Sequence, residues 1–279
     1  MLKKSSILVF LTLTFGMTIF GQEIRWLNDI KAAQRTARET GKPILYDFSA
    51  DWCKPCQAME RDFWPKPEVV ELSKKFVCVK VNFDTERNLA DKYGVSSIPN
   101  VIFTDPWGRG LTYNKGFGSA TTSQILEKFK LLPANFNSVI DAGNALETDE
   151  KNLVALQKMA TFYQDHKLYW QATEFLKRIL KLESDATKRE NTRMNLAFNL
   201  IRINEPGDAI GQFESLQKEY PNSSQAPIFL YGILIANVRK NKIDKAEKFL
   251  AELRSRFPDS KLISEAEKAV FEAKGNKKE

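Results

Sequence analysis

The chemistry of this chain is concentrated in Trp52-Cys53-Lys54-Pro55-Cys56. Two thiols separated by two residues can exchange two electrons with another disulfide through a mixed-disulfide intermediate, with no dissociable cofactor. The same spacing supplies half of a zinc site, but zinc needs further cysteine or histidine ligands. Only Cys78 and the single histidine, His166, remain for that purpose, so no metal is expected. The pair follows a strand-like run, and the residues from Cys53 to about Trp64 read as a helix that Pro65 stops. Cys53 would then stand half-exposed at a helix N-terminus, where unpaired N–H groups and the positive dipole end favour a thiolate. Lys54 adds to that field. Cys56, one turn further on and partly covered, is placed to attack a mixed disulfide on Cys53.

A sheet must hold such a pair. Asn28 caps a helix carrying Ile30, Ala33 and Ala37, and Gly41 ends it. Pro43-Ile-Leu-Tyr-Asp-Phe-Ser, Phe76–Phe83 and Asn100–Thr104 are short apolar runs of the kind found in strands covered on both faces. Asp105-Pro-Trp-Gly-Arg-Gly110 has hairpin-turn chemistry, Leu111–Phe117 returns, and Thr121 or Thr122 caps a helix through Leu132. This predicts an α/β domain over 22–133, parallel through its crossovers, with one antiparallel hairpin at the edge. Cys78 shares a strand face with Phe76, Lys80 and Asn82 and is expected in the core.

Beyond Pro133 the strand signal gives way to helical spacing and an internal repeat of 37 residues. Ala172, Ala209 and Ala246 coincide; so do Leu176, Phe213 and Leu250, and Ile179, Leu216 and Leu253. Pro221 and Pro258 coincide as well. A small residue at a helix crossing, an apolar residue one turn on and a terminating proline describe stacked helix pairs. Three pairs and a capping helix from about Ser260 to Lys274 are expected over 134–279, with Lys274, Lys277 and Lys278 in a solvated tail. A plain helical bundle is the alternative.

These motifs resemble known families. Asp47-Phe-Ser-Ala-Asp-Trp-Cys-Lys-Pro-Cys is similar to the active-site strand and turn of thioredoxin-like proteins, Ser96-Ser-Ile-Pro99 to their cis-proline loop, and Val79-Lys-Val-Asn-Phe-Asp84 to the strand between them. Trp64-Pro-Lys-Pro-Glu-Val-Val and the long first helix resemble the periplasmic thioredoxin-like domain of transmembrane electron-delivery reductases. The resemblance implies that Cys53 is the nucleophile and Cys56 the resolving thiol. It further implies that Asp47 is a buried carboxylate able to take the Cys56 proton, and that Lys80 faces Asp47. Pro99 is then cis and offers the Ile98 backbone to an extended substrate, while Trp52 lines the substrate surface or packs on the flank. Ala209, Phe213 and Pro221, then Ala246, Leu250 and Pro258, resemble the tetratricopeptide repeat, which implies a peptide- or protein-binding stack. The period is longer than the roughly 34 residues of that family. Ser184 replaces the first proline, and Leu156, Arg193 and Leu230 stand where its aromatic belongs.

Lys3 and Lys4 precede an uncharged run, Ile7–Phe20, short for a span of about 20 residues but suited to a secretory signal. Cleavage after Gly21 would leave Gln22 first and place the chain in a bacterial periplasm; an uncleaved anchor is the alternative. The formal charge is +7, or +5 without Lys3 and Lys4, and it is diffuse. A nucleic-acid partner, which needs basic residues gathered on one face, is therefore not expected. No Gly-rich phosphate loop appears, which argues against a nucleotide enzyme. The expectation is an exported thiol–disulfide oxidoreductase that reduces or isomerises protein disulfides, takes electrons from a membrane-embedded reductant, and binds protein through its helical repeats. Its competitor is an adaptor in which the α/β domain serves recognition alone.

Overall fold

The structure, a computed structural model, describes residues 23–275. The expected leader, Lys277 and Lys278 lie outside the described residues. The first part runs β1 (Trp26–Leu27), α1 (Ile30–Thr40), β2 (Ile44–Ser49), α2 (Lys54–Asp62), α3 (Pro67–Ser73), β3 (Val77–Asn82), α4 (Arg87–Lys92), β4 (Asn100–Thr104), β5 (Gly110–Lys115) and α5 (Ser119–Leu131). The strands lie in the order β1-β3-β2-β4-β5. β2 is central, and its apolar run is buried on both faces. Ile44, Tyr46 and Phe48 pack with Ala33 and Ala37 of α1. Leu45 points the other way, toward Met59, Phe63, Phe103 and Phe129. Period-2 alternation therefore puts Asp47 on the α2 face of the sheet.

Several boundaries differ from expectation. Asp29, not Asn28, caps α1 by accepting the Ala32 N–H. α2 ends at Asp62 rather than Trp64: the Phe63 and Trp64 N–H groups both reach the Met59 carbonyl, and Pro65 has none to continue the ladder. α5 starts at Ser119 with Gly118 at its cap position, ahead of the expected threonines. The pairing also needs correcting. β1, β3 and β2 are parallel, but β4 is antiparallel to β2 as well as to β5. The segment between β3 and β4 holds only the six-residue α4, about 9 Å long against about 20 Å for a six-residue strand, and it does not form the helical crossover that parallel pairing ordinarily uses. β4 therefore starts at the end where β3 stops.

The helical part comprises α6 (Ile140–Thr148), α7 (Leu153–Asp165), α8 (Tyr169–Leu182), α9 (Ala186–Arg202), α10 (Pro206–Glu219), α11 (Ala226–Arg239), α12 (Ile243–Arg256) and α13 (Leu262–Gly275). Consecutive helices pack against each other, and α13 closes the stack against α11 and α12. Ala172, Ala209 and Ala246 are fully buried, as a close crossing requires. Gly232 belongs to the same packing: a Cβ there would sit 2.3 Å from the Phe213 ring. The turn inside each pair repeats too. Lys167, Asn204 and Asn241 all adopt left-handed φ, at 59°, 64° and 55°. The next N–H of each turn (Leu168, Glu205, Lys242) bonds back to Tyr163, Leu200 and Asn237. Lys274, expected in a free tail, lies in α13 and pairs with Glu247.

The division expected at residue 133 falls just after α5, and the apolar core runs across it, from Leu45 and Phe103 to Phe136, Tyr163 and beyond. The β4–β5 hairpin is the connecting piece. Asp105 is fully buried and accepts from the Trp107 and Arg109 N–H groups, from Arg109 Nε at 2.6 Å and from the Tyr163 hydroxyl at 2.5 Å. Burial and the Asp105 charge hold the Tyr163 hydroxyl well above the usual tyrosine pKa. Trp107 donates to Asn144 and packs on Phe136. Gly143 admits this indole: a Cβ there would lie 1.8 Å from it. Among the described residues no helix is long and apolar enough to cross a membrane.

Candidate active site

Cys53 and Cys56 are joined as a disulfide. Cys53 is the N-cap of α2, and its Sγ accepts the Cys56 N–H at 3.2 Å. Pro55 in the first turn removes an N–H that would otherwise have no helical partner. The helix thus starts on the sulfur, directing its N-terminal donors at Cys53. Cys53 is only 3% exposed, not half-exposed as expected. In the oxidised pair its sulfur turns onto Cys56, and Ala50 and Ile98 complete a small apolar cluster around both.

Ile98 arrives from the loop before β4. The Ile98–Pro99 peptide bond is cis, and the Pro99 carbonyl accepts the Gly116 N–H. Among the described residues the Ile98 N–H and C=O have no backbone partner. Trp52, beside Cys53, is 63% exposed and donates from Nε1 to Asp84 at 2.8 Å. That bond holds the indole at the surface rather than in a packed flank.

On the α2 face of the sheet the register sets Asp47 on β2 beside Lys80 on β3. Asp47 is 2% exposed; its Oδ2 accepts from Lys80 Nζ at 2.6 Å and from Trp64 Nε1 at 3.1 Å, while Oδ1 has no partner. Three residues not singled out from the sequence for this site complete it. Glu60 of α2 pairs with Lys80 from the solvent side. Trp26 and Trp64 place their rings 4.0 and 5.5 Å from the Lys80 ammonium. Burial pulls the Lys80 pKa below the ordinary lysine value, opposed by the attraction of Asp47. Cys56, Glu60 and Trp64 are spaced four apart, one face of a helix, and that periodicity was the available signal. The result is a line of charged groups, Asp47, Lys80 and Glu60, from the buried face of β2 to water, tied to the redox helix through Glu60.

Cys78 lies apart from this line, on β3 with its thiol directed at the Ser73 carbonyl; burial pushes its pKa up to about 12. Among the described residues no group of three His, Cys, Asp or Glu side chains is placed to hold a metal ion.

The comparisons agree with the geometry. Residues 25–106 match the Thioredoxin-like family and residues 192–223 a tetratricopeptide repeat. The chain is 36% identical over 91 residues to the M-type chloroplastic thioredoxin of Pisum sativum, covering 31% of this chain and 49% of that protein. It is 34% identical over 79 residues to an H-type thioredoxin of Oryza sativa, covering 27% and 60%. It is also 27% identical over 105 residues to the thiol:disulfide interchange protein DsbD 1 of Pseudomonas aeruginosa, covering 36% and 18%. The chain thus spans less than two thirds of each of these relatives. Its N-terminal α/β part is a thioredoxin-like domain, followed by an all-helical region that contains a tetratricopeptide repeat.

Proposed function

We propose that this chain is a thiol–disulfide oxidoreductase that reduces or isomerises protein disulfides outside the cytoplasm. The observation that carries the reading is Cys53 Sγ as the cap of α2, bonded to Cys56 one turn behind it, on a segment whose Glu60 and Trp64 bond to Lys80 and Asp47. In the reduced form the Cys53 thiolate attacks one sulfur of a substrate disulfide and expels the other as a thiolate. Cys56 passes its proton toward Asp47, and its thiolate attacks Cys53 Sγ. The second substrate sulfur leaves, two electrons have moved to the substrate, and the Cys53–Cys56 disulfide seen here is restored. The unpaired backbone of Ile98 and the exposed Trp52 ring flank the point of attack and suit an extended substrate segment.

Turnover requires a two-electron donor to reopen the disulfide. The likeness to DsbD 1 and the secretory character of the N-terminus favour a membrane-embedded reductant in the periplasm. The Asp47–Lys80 pair and the Ile98-Pro99 loop, which resemble those of reducing members, favour reduction over oxidation. The helical stack would recruit protein partners.

The test is reduction of insulin by the purified chain with dithiothreitol as donor. Activity that Cys53→Ser abolishes supports the enzyme, whereas an inactive wild type would leave an adaptor. Cys56→Ser should trap substrates on Cys53 in the periplasm; an empty trap there would refute substrate reduction.

A further inference from the structure

We propose that the groove between the free edge of β5 and the α7–α8 turn docks an extended peptide segment of a partner protein, with apolar and acidic side chains in alternation. The groove has a volume of about 700 Å3 and runs between Gly110–Tyr113 and residues 166–171, with Arg202 at its rim. β5 is the last strand of the sheet, so one row of its backbone N–H and C=O groups faces away from β4. The Gly110 and Leu111 carbonyls are taken by Gln171 Nε2. Among the described residues no backbone group outside the sheet pairs with Thr112–Lys115.

Three large apolar side chains on this groove stand in water: Tyr113 at 70% exposure, Leu131 at 64% and Trp170 at 59%. A concentration of this kind marks an interaction surface. Charge defines the occupant. Lys128, Lys167 and Arg202 line the groove, no Asp or Glu does, and none of the three cations enters an ion pair among the described residues. Arg202 is stacked over the Tyr169 ring at 4.9 Å, which presets its planar fork for a carboxylate. An added strand would use the free edge for its backbone, Tyr113, Leu131 and Trp170 for its apolar side chains and the cations for its acids. A second copy of this chain, paired edge to edge, would set like charges against each other.

The experiment titrates the full chain into a short labelled peptide alternating Asp with Phe, read by fluorescence anisotropy. Saturable binding is expected, weakened about tenfold or more by Trp170→Ala, by Arg202→Glu or by Leu131→Asp on the opposite wall. The same peptide with Lys for Asp should bind at least about tenfold more weakly. Reduction of a small free disulfide by Trp170→Ala should equal that of wild type, which separates the groove from the redox pair. Absent saturation, equal affinity for the two peptides, or indifference to all three substitutions overturns the proposal. A dimer in sedimentation that Trp170→Ala dissociates would also overturn it, by assigning the groove to a second copy.

Discussion

Removing the Lys80 ammonium puts the charged line of Asp47, Lys80 and Glu60 to a quantitative test. In Lys80→Met the Asp47 carboxylate, 2% exposed, keeps only the Trp64 N–H at 3.1 Å. Breaking a buried ion pair from one side costs about 3–5 kcal/mol. The Lys80 side chain is 20% exposed and also faces Glu60, so the low end, about 3 kcal/mol, applies. Asp47→Asn is milder, about 1 kcal/mol, because its side-chain oxygen still accepts from Trp64 and Lys80 keeps Glu60. Removing both charges together should cost little more than Asp47→Asn alone, which gives a coupling of about 3 kcal/mol in a double-mutant cycle. Urea unfolding of the four oxidised proteins at neutral pH measures it. If the two single substitutions add within about 0.5 kcal/mol, the pair is not coupled and the line of charges has no energetic reality. The kinetic counterpart is resolution of the mixed disulfide, which Asp47→Asn should slow about a hundredfold if, as proposed, Asp47 accepts the Cys56 proton.

The depressed Lys80 pKa predicts a pH dependence. Between its folded value and 10.5 the unfolded chain holds the extra proton, so stability should rise with pH across that window and carry the full deficit below it. Asp47→Asn removes the opposing attraction, so its urea midpoint should rise more steeply than that of wild type as the pH climbs toward 10.5. Cys78, held at about 12 against 9.0, should be alkylated about a thousandfold more slowly than an ordinary thiol; mass spectrometry of the reduced, folded chain treated with iodoacetamide should find label on Cys53 and none on Cys78. Gly143→Ala should destabilise the chain by more than about 2 kcal/mol, because the new Cβ falls inside the Trp107 ring; a Tm equal to wild type would mean that the junction is loose. Asn241→Ala should cost about 1 kcal/mol for its left-handed φ, and Asn241→Gly should cost less, both by thermal unfolding.

The sequence revealed those parts of the fold where local chemistry is self-sufficient. The apolar runs that became β2 and β4 needed only length and composition, and the two cysteines with Pro55 announced a helix start. The register of Ala172, Ala209 and Ala246 showed in self-alignment because each alanine meets the same crossing. What stayed hidden depends on tertiary partners. β1 has two residues and exists through its pairing with β3. α4 is too short to carry a period, and the antiparallel sense of β4 shows only in its pairing with β2. Glu60, Trp26 and Trp64 gained their meaning only when β1, α2 and β3 met around Lys80. The turn at Asp105 read as a plain hairpin because Tyr163 and Asn144, which it joins, are remote in sequence.

That turn has a mechanical consequence. With Asp105, Trp107 and Phe136 clamped into one continuous interior, the helical stack is not a tether but a rigid arm. Under the proposed function, cargo held by the arm would meet the sulfurs at one fixed reach and angle, so a substrate would be chosen by the distance between its grip point and its own cystine. A severed arm would lose both its selectivity and the local enrichment that geometry confers.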